Sequence, residues 1–115
     1  MSIPNNHINY LEFKATDLDK VKKFYSSVFG WAFTDYGPNY TAFSHAGIAG
    51  GFEYTAEEIT NSVLVVLHHN KLEDIKEKIE QAGAIISKEI FSFPGGKRFQ
   101  FLDPSGNELA VWKEE

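Results

Sequence analysis

The chain contains no cysteine, which excludes disulfide bonds, thiolate metal sites and a cysteine nucleophile. No stretch approaches the roughly 18 consecutive apolar residues of a membrane-spanning helix. The first residues, MSIPNNHIN, also lack the basic and then apolar pattern of a signal peptide. We therefore expect a cytoplasmic protein with no membrane partner.

Clusters of positive charge are also missing. The 115 residues carry a net charge of −5, with lysine and arginine spread along the chain, whereas nucleic-acid-binding domains concentrate basic residues on one face. We expect no nucleic-acid partner. The chain is rich instead in hydrophobic and aromatic residues, 43% and 15% of the total, which is enough to pack a single domain over residues 1–115.

One pattern of sequence occurs twice. Residues 10–30 show a strand, a polar cap, an amphipathic helix and a glycine stop, and residues 63–83 follow the same plan. Leu18 aligns with Leu72 at an offset of 54 residues. Three short strand patterns, separated by turn residues, follow each helix. The chain is therefore predicted to contain two βαβββ modules.

A single βαβββ module leaves one face of its short sheet bare, so two modules must combine. We predict an α+β fold in which they form one curved, partly open β-sheet with the helices outside. The modules are expected at about 8–54 and 62–113, with a linker at 55–61. The concave face of such a sheet provides a cleft for a small molecule.

Periodicity predicts which side chains face the first helix. Alternation along residues 8–14 puts Leu11 and Phe13 on the helix side of the strand, and Tyr10 and Glu12 on the other side. Gly50 and Gly51, inside a predicted strand, mark a bulge or the close approach of a ligand or of another backbone. The apolar residues at helical spacing in the first helix are Leu18, Val21, Phe24, Tyr25 and Val28.

Four short motifs occur in order along this frame. They are the cap and helix start at Asp17-Leu18, FYSSVFGW at 24–31, GGF at 50–52 and DPSGNELAVW at 103–112. Together they resemble the glyoxalase, bleomycin-resistance and extradiol-dioxygenase superfamily, also called the vicinal oxygen chelate superfamily. More narrowly, the chain is similar to small proteins related to lactoylglutathione lyase. The resemblance implies the glyoxalase/bleomycin resistance/dihydroxybiphenyl dioxygenase fold.

The resemblance also implies where a metal ion would bind. Metal-dependent members take one ligand from the first strand and one from the last strand of each half. Those positions correspond here to Tyr10, Gly51, Leu64 and Ala110. None is a good ligand for Zn²⁺, Ni²⁺ or Fe²⁺, which prefer imidazole and carboxylate groups. We therefore expect no metal cofactor, and we do not expect chemistry that depends on a metal-held pair of substrate oxygens.

Other residues near the expected cleft are candidates for binding or chemistry. Glu12 is the candidate catalytic residue, as a general base, although it can equally pair with a lysine or lie in water at the strand end. Tyr10 can donate a hydrogen bond to a ligand or line the wall of the cleft. Arg98, the only arginine, can anchor an anionic ligand from the rim. The predicted ligand-binding residues are Tyr10, Gly51, Leu64, Arg98, Glu108, Ala110 and Trp112.

His68 and His69 form a tempting pair for a metal ion. Adjacent strand residues face opposite ways, however, and the pair ends its strand just before a helix. We expect a solvated strand end.

Three functions remain open from the sequence. The first is a homodimeric protein that binds a small, partly aromatic molecule by stacking and without a metal. The second is a lyase, isomerase or dioxygenase relative that uses Glu12 as a base, or a metal held by unusual ligands such as Glu12, His68 or Glu108. The third is a domain whose cleft is filled by its own aromatic side chains and which only dimerises.

Overall fold

Two helices and eight strands form within residues 3–60 and 63–115, which are the residues that the computed structural model describes. They divide into two compact units. The N-terminal unit is Tyr10–Leu64. The C-terminal unit is Val65–Glu115 together with the described residues up to Asn9.

The N-terminal unit contains a four-stranded mixed sheet and one helix. Its strands follow the order β2-β3-β4-β1, and β1 and β4 are parallel while the other neighbours are antiparallel. The elements are β1 (Ile8–Ala15), α1 (Leu18–Phe29), β2 (Ala32–Asp35), β3 (Tyr40–Ser44) and β4 (Ala49–Tyr54).

Local chemistry fixes both ends of α1. The Asp17 side chain accepts a hydrogen bond of 3.0 Å from the backbone N–H of Lys20, which satisfies one of the free donors of the first turn. Gly30 ends the helix in the left-handed conformation, with φ 74° and its N–H bonded to the carbonyl of Ser26. The sequence predicted both of these helix ends.

One stripe of α1 packs on the sheet. Leu18, Val21 and Tyr25 contact a buried cluster of Ala15, Phe43 and Phe52, to which Phe13 of β1 also belongs. The other two apolar residues, Phe24 and Val28, are 52% and 57% exposed. Helical spacing of the five apolar residues therefore does not make these two part of the packed stripe. Both are absent from the residues that pack on this cluster, so more than half of each side chain remains in contact with solvent.

The C-terminal unit repeats the plan. Its strands follow the order β5-β8-β7-β6, with β5 and β8 parallel and the other neighbours antiparallel. The register of β6 against β7 shifts between Ile86 and Lys88 and again between Lys88 and Phe91. The elements are β5 (Val63–His68), α2 (Leu72–Gln81), β6 (Ile85–Phe93), β7 (Gly96–Leu102) and β8 (Glu108–Glu114).

Phe99 is the centre of the second core. It has no exposed surface, and it packs against Leu72 of α2 and Val111 of β8. Phe99 and Val111 are paired in register across β7 and β8, so both point to the face that α2 covers. Their strand neighbours, Arg98 and Trp112, point to the opposite face.

The sequence predicted the order of these elements, and the two βαβββ modules are confirmed. Helix α2 ends at Gln81, two residues before the predicted glycine stop at the end of 63–83, and β6 runs from Ile85 to Phe93. The predicted boundary between linker and second module, at residues 61–62, lies outside the described residues. Neither described helix is long and apolar enough to cross a membrane.

Candidate functional site

The open sheet face of the N-terminal unit carries the predicted catalytic residue. Phe13 and Ala15 pack toward α1, so Tyr10 and Glu12, which alternate with them along β1, point to the other face. This orientation is the one that the sequence predicted. Glu12 is nonetheless only 6% exposed, which excludes the alternative of a solvated strand end.

Tyr40, at the start of β3, joins this face. Its hydroxyl is hydrogen-bonded to the hydroxyl of Tyr10, and it donates to Oε2 of Glu12 over 3.3 Å. Each phenol has a single proton, and a carboxylate only accepts. Both bonds therefore form together when Tyr10 donates to Tyr40 and Tyr40 donates to Glu12. We call these three residues the Tyr–Tyr–Glu chain.

The pKa of Tyr40 is raised well above its usual value. The main cause is burial of the phenol, and the hydrogen bond with Tyr10 and the negative charge of Glu12 act in the same direction. The phenol therefore keeps its proton at physiological pH and remains a hydrogen-bond donor.

Gly51 makes room for the Tyr40 ring. A Cβ atom at Gly51 would lie 2.7 Å from Cε1 and Cζ of that ring, which is inside van der Waals contact. Gly51 pairs with Glu12 on one side and Ala42 on the other. The ring of Tyr40 therefore occupies the place into which a side chain at residue 51 would project.

The residues at the four positions implied for a metal ion do not fit one. Leu64 is half-buried and Ala110 is fully buried, and neither they nor Gly51 has a side-chain donor atom. The hydroxyl of Tyr10 is hydrogen-bonded to Tyr40. Within 3–60 and 63–115, no three histidine, aspartate or glutamate side chains are grouped to hold a metal ion. The absence of a metal cofactor stays a prediction.

In the C-terminal unit, a row of side chains crosses all four strands on the face that α2 leaves uncovered. His68 pairs with Trp112, Trp112 with Arg98, and Arg98 with Phe91. The guanidinium carbon of Arg98 lies 5.3 Å from the ring centre of Phe91 and 6.0 Å from that of Phe93. These distances are those of cation–π contacts. We call this set the aromatic row.

His68 is buried, so the expectation of a solvated strand end is wrong for this residue. It is 2% exposed, and its Nε2 lies 2.6 Å from Oε1 of Glu114. The ring of His68 stands edge-on to Trp112, with centroids 5.5 Å apart. The contact with His68 lowers the pKa of Glu114.

Trp112 and Glu108 have protein partners as well. The indole N–H of Trp112 donates to Oδ1 of Asn9 over 3.1 Å. Oε2 of Glu108 accepts hydrogen bonds from Ser87 at 2.8 Å and Gln100 at 2.9 Å. Glu108 and Trp112 share the face of Ala110, opposite Val111, as the sequence predicted.

Sequence reasoning missed two residues of these faces. Tyr40 was not among the residues predicted for the candidate site, and Glu114 lies just beyond the predicted end of the second module at about residue 113. A signal for Tyr40 was present in Gly51, because a glycine inside a strand leaves space for a neighbouring ring.

Comparison with known proteins agrees with this architecture. Residues 7–111 match the family model described as the glyoxalase/bleomycin resistance protein/dioxygenase superfamily. The chain belongs to this superfamily, and the α+β fold expected from the sequence is confirmed. A search among curated proteins finds no match.

Several solved structures are similar in fold. A superfamily member from Vibrio splendidus 12B01 has a TM-score of 0.72 and 15% identity, over 91% of this chain and 97% of that one. Methylmalonyl-CoA epimerase from Mycobacterium tuberculosis has a TM-score of 0.75 and 9% identity, over 100% and 93% of the two chains. The Mn(II)-bound glyoxalase from Novosphingobium aromaticivorans has a TM-score of 0.69 and 23% identity, over 92% of this chain and 38% of that one. At these identities the likeness is one of fold.

Proposed function

We propose that this protein binds a small, partly aromatic molecule and does so without a metal ion. The observation that carries the proposal is the Tyr–Tyr–Glu chain, with the Tyr40 ring lying against Gly51. It puts the phenol of Tyr10 at a position where metal-dependent relatives have a ligand, and while its proton is held by Tyr40 its oxygen can accept a hydrogen bond from a ligand.

The aromatic row of the C-terminal unit is, taken by itself, a second surface suited to an aromatic molecule. Trp112, Phe91 and Phe93 are half-buried, so each keeps part of its ring surface available. Phe93 lies 6.3 Å from Trp112 and 6.5 Å from Phe91 between ring centres. Rings at such separations offer apolar surface against which a flat molecule can stack. Arg98, beside them, carries the positive charge that we expect to attract an anionic substituent.

Binding is tested with a panel of phenols and aromatic carboxylates, followed by thermal shift and tryptophan fluorescence. We expect at least one compound to raise the melting temperature, and we expect the Tyr40→Phe variant to bind it about tenfold more weakly. This variant keeps the ring and removes the hydroxyl that links Tyr10 to Glu12, so the Tyr10 phenol is no longer held in place for the ligand. The control is Tyr36→Phe, which makes the same change at a residue that is 65% exposed. Equal affinity of the Tyr40→Phe variant and the wild type, or stoichiometric metal in the purified protein, would contradict the proposal.

A second candidate function is catalysis with Glu12 as a general base. The observation that favours it is the burial of Glu12 together with its hydrogen bond from Tyr40. If the panel reveals turnover, the Glu12→Gln variant is expected to lose about a hundredfold or more in rate, the usual contribution of a general base. Turnover that persists in this variant would assign the chemistry to another residue. A metal held by unusual ligands would instead appear in the metal analysis.

A homodimer in the cytoplasm stays our prediction for the assembled protein. Light scattering coupled to size-exclusion chromatography measures the oligomeric state directly.

A further inference from the structure

The other face of the C-terminal unit has a row of its own. Ser92 of β6 pairs with Lys97 of β7, and Lys97 pairs with Lys113 of β8. Residues paired in register point to the same face of a sheet. These three side chains therefore stand next to one another across three adjacent strands, and we call them the Ser–Lys–Lys row.

The row borders a surface depression. A cavity of about 350 Å³ is lined by all three residues together with Gly96, Glu114 and Glu115. This volume is within the range of small-ligand sites.

The carboxylates that line this depression have protein partners, whereas its lysines form no ion pairs with any residue that the structure describes. Glu114 contacts His68 through Oε1, and Oε1 of Glu115 accepts a hydrogen bond of 3.2 Å from the backbone N–H of Gly95. Over 3–60 and 63–115, neither Lys97 nor Lys113 forms an ion pair, and the Ser92 hydroxyl makes no hydrogen bond. The pKa of Glu114 is lowered mainly by its hydrogen bond with His68 and also by the charge of Lys113. Among the described residues, the side chains of Lys97, Lys113 and Ser92 therefore line the depression without a hydrogen-bond or ion-pair partner, whereas each carboxylate has one.

Because Lys97 and Lys113 lie directly opposite each other across β7 and β8, we expect their charges to repel each other. Like charges directly opposite each other in an antiparallel pair destabilise a sheet. An anion with two negative charges placed between them removes this repulsion and gains attraction to both ammonium groups. The hydroxyl of Ser92 can donate to a further oxygen of the same anion.

We infer that the Ser–Lys–Lys row binds a phosphate group, as inorganic phosphate or as a phosphate monoester. The side chains of the Ser–Lys–Lys row point to the α2 side of the sheet, opposite those of the aromatic row, so the inference does not depend on the function proposed above. Lysine binds phosphate as a point charge, which suits two neighbouring ammonium groups.

The test is a titration of the ¹⁵N-labelled full chain followed by amide chemical shifts at constant ionic strength. Inorganic phosphate and adenosine monophosphate are the two probes, with sodium chloride as the reference. We expect saturable shifts at Ser92, Lys97 and Lys113, with a dissociation constant of about 1 mM for an exposed site. Tighter binding of the monophosphate would identify a monoester as the ligand, and tighter binding of phosphate would identify the free ion.

Two matched double variants complete the test. Lys97→Gln with Lys113→Gln is expected to abolish saturation and, in chloride alone, to raise the melting temperature because the repulsion is gone. Lys20→Gln with Lys23→Gln removes the same charge from α1, and we expect it to leave the titration unchanged. Shifts that never saturate, or that persist in the first double variant, would overturn the inference. The melting curves show in the same samples that each variant is folded.

Discussion

The Gly50→Ala variant is expected to lose about 3 kcal/mol of unfolding free energy, as severe overpacking does. A Cβ atom at this position would lie 2.8 Å from Cε1 of Phe43, and closer still to Cζ of Phe43 and the carbonyl oxygen of Leu11. Phe43 is 5% exposed within the first core, so its ring has little space to move aside. The oxygen of Leu11 belongs to the backbone of β1, which pairs directly with β4. Removing these close contacts therefore requires β1 and β4 to move apart.

Urea denaturation followed by tryptophan fluorescence measures this loss. The matched variant is Gly51→Ala, for which the three atoms nearest to the added methyl group all belong to the side chain of Tyr40. Tyr40 is half-buried, and moving its ring aside costs its hydrogen bonds with Tyr10 and Glu12, so we expect a loss of about 1 to 2 kcal/mol. A Gly50→Ala variant with an unchanged free energy of unfolding would show that β1, β4 and Phe43 leave space for a methyl group at residue 50.

The Phe99→Ala variant is expected to lose about 4 kcal/mol, in the range measured for buried phenylalanine residues. Phe99 has no exposed surface and lies between Leu72 of α2 and Val111 of β8. Removing its ring takes away the main contact between helix and sheet in this unit and leaves a cavity that these neighbours can fill only partly. Chemical denaturation with fluorescence and far-ultraviolet circular dichroism as probes measures the loss.

The control for this effect is Phe24→Ala. Phe24 is 52% exposed, so the same chemical change is expected to alter stability by less than about 1 kcal/mol. Equal losses in the two variants would contradict the assignment of Phe99 to the core and of Phe24 to the surface.

Phe24 and Phe99 also show how far the sequence could predict the fold. Alternation put Phe99 and Phe101 on one face of β7, and both contribute to the core under α2. Helical spacing grouped Phe24 with Leu18, Val21 and Tyr25, but it could not show which of them pack on the buried cluster. Periodicity predicts the direction in which each side chain points. Whether that side chain is buried depends on whether another element of the fold packs against it.

Part of the candidate site could likewise be predicted from the sequence, and part of it could not. The orientation of Tyr10 and Glu12 followed from alternation along one strand. The contact of Tyr40 with both of them depends on the register of β3 against β4, which pairs Tyr40 with Glu53, and no local signal specifies that register. His68 is buried through contacts with Trp112 and Glu114, which lie more than 40 residues away in sequence.

The two register shifts in β6 affect how this protein behaves at high concentration. β6 is the outermost strand of its sheet, and an outermost strand exposes unpaired backbone groups to other molecules. The shifts break its regular spacing between Ile86 and Phe91, and the charged residues Lys88 and Glu89 lie between them. A second chain would therefore have difficulty adding to this edge by strand pairing. The longest strand of the protein is thus protected against the association to which its apolar residues would otherwise expose it.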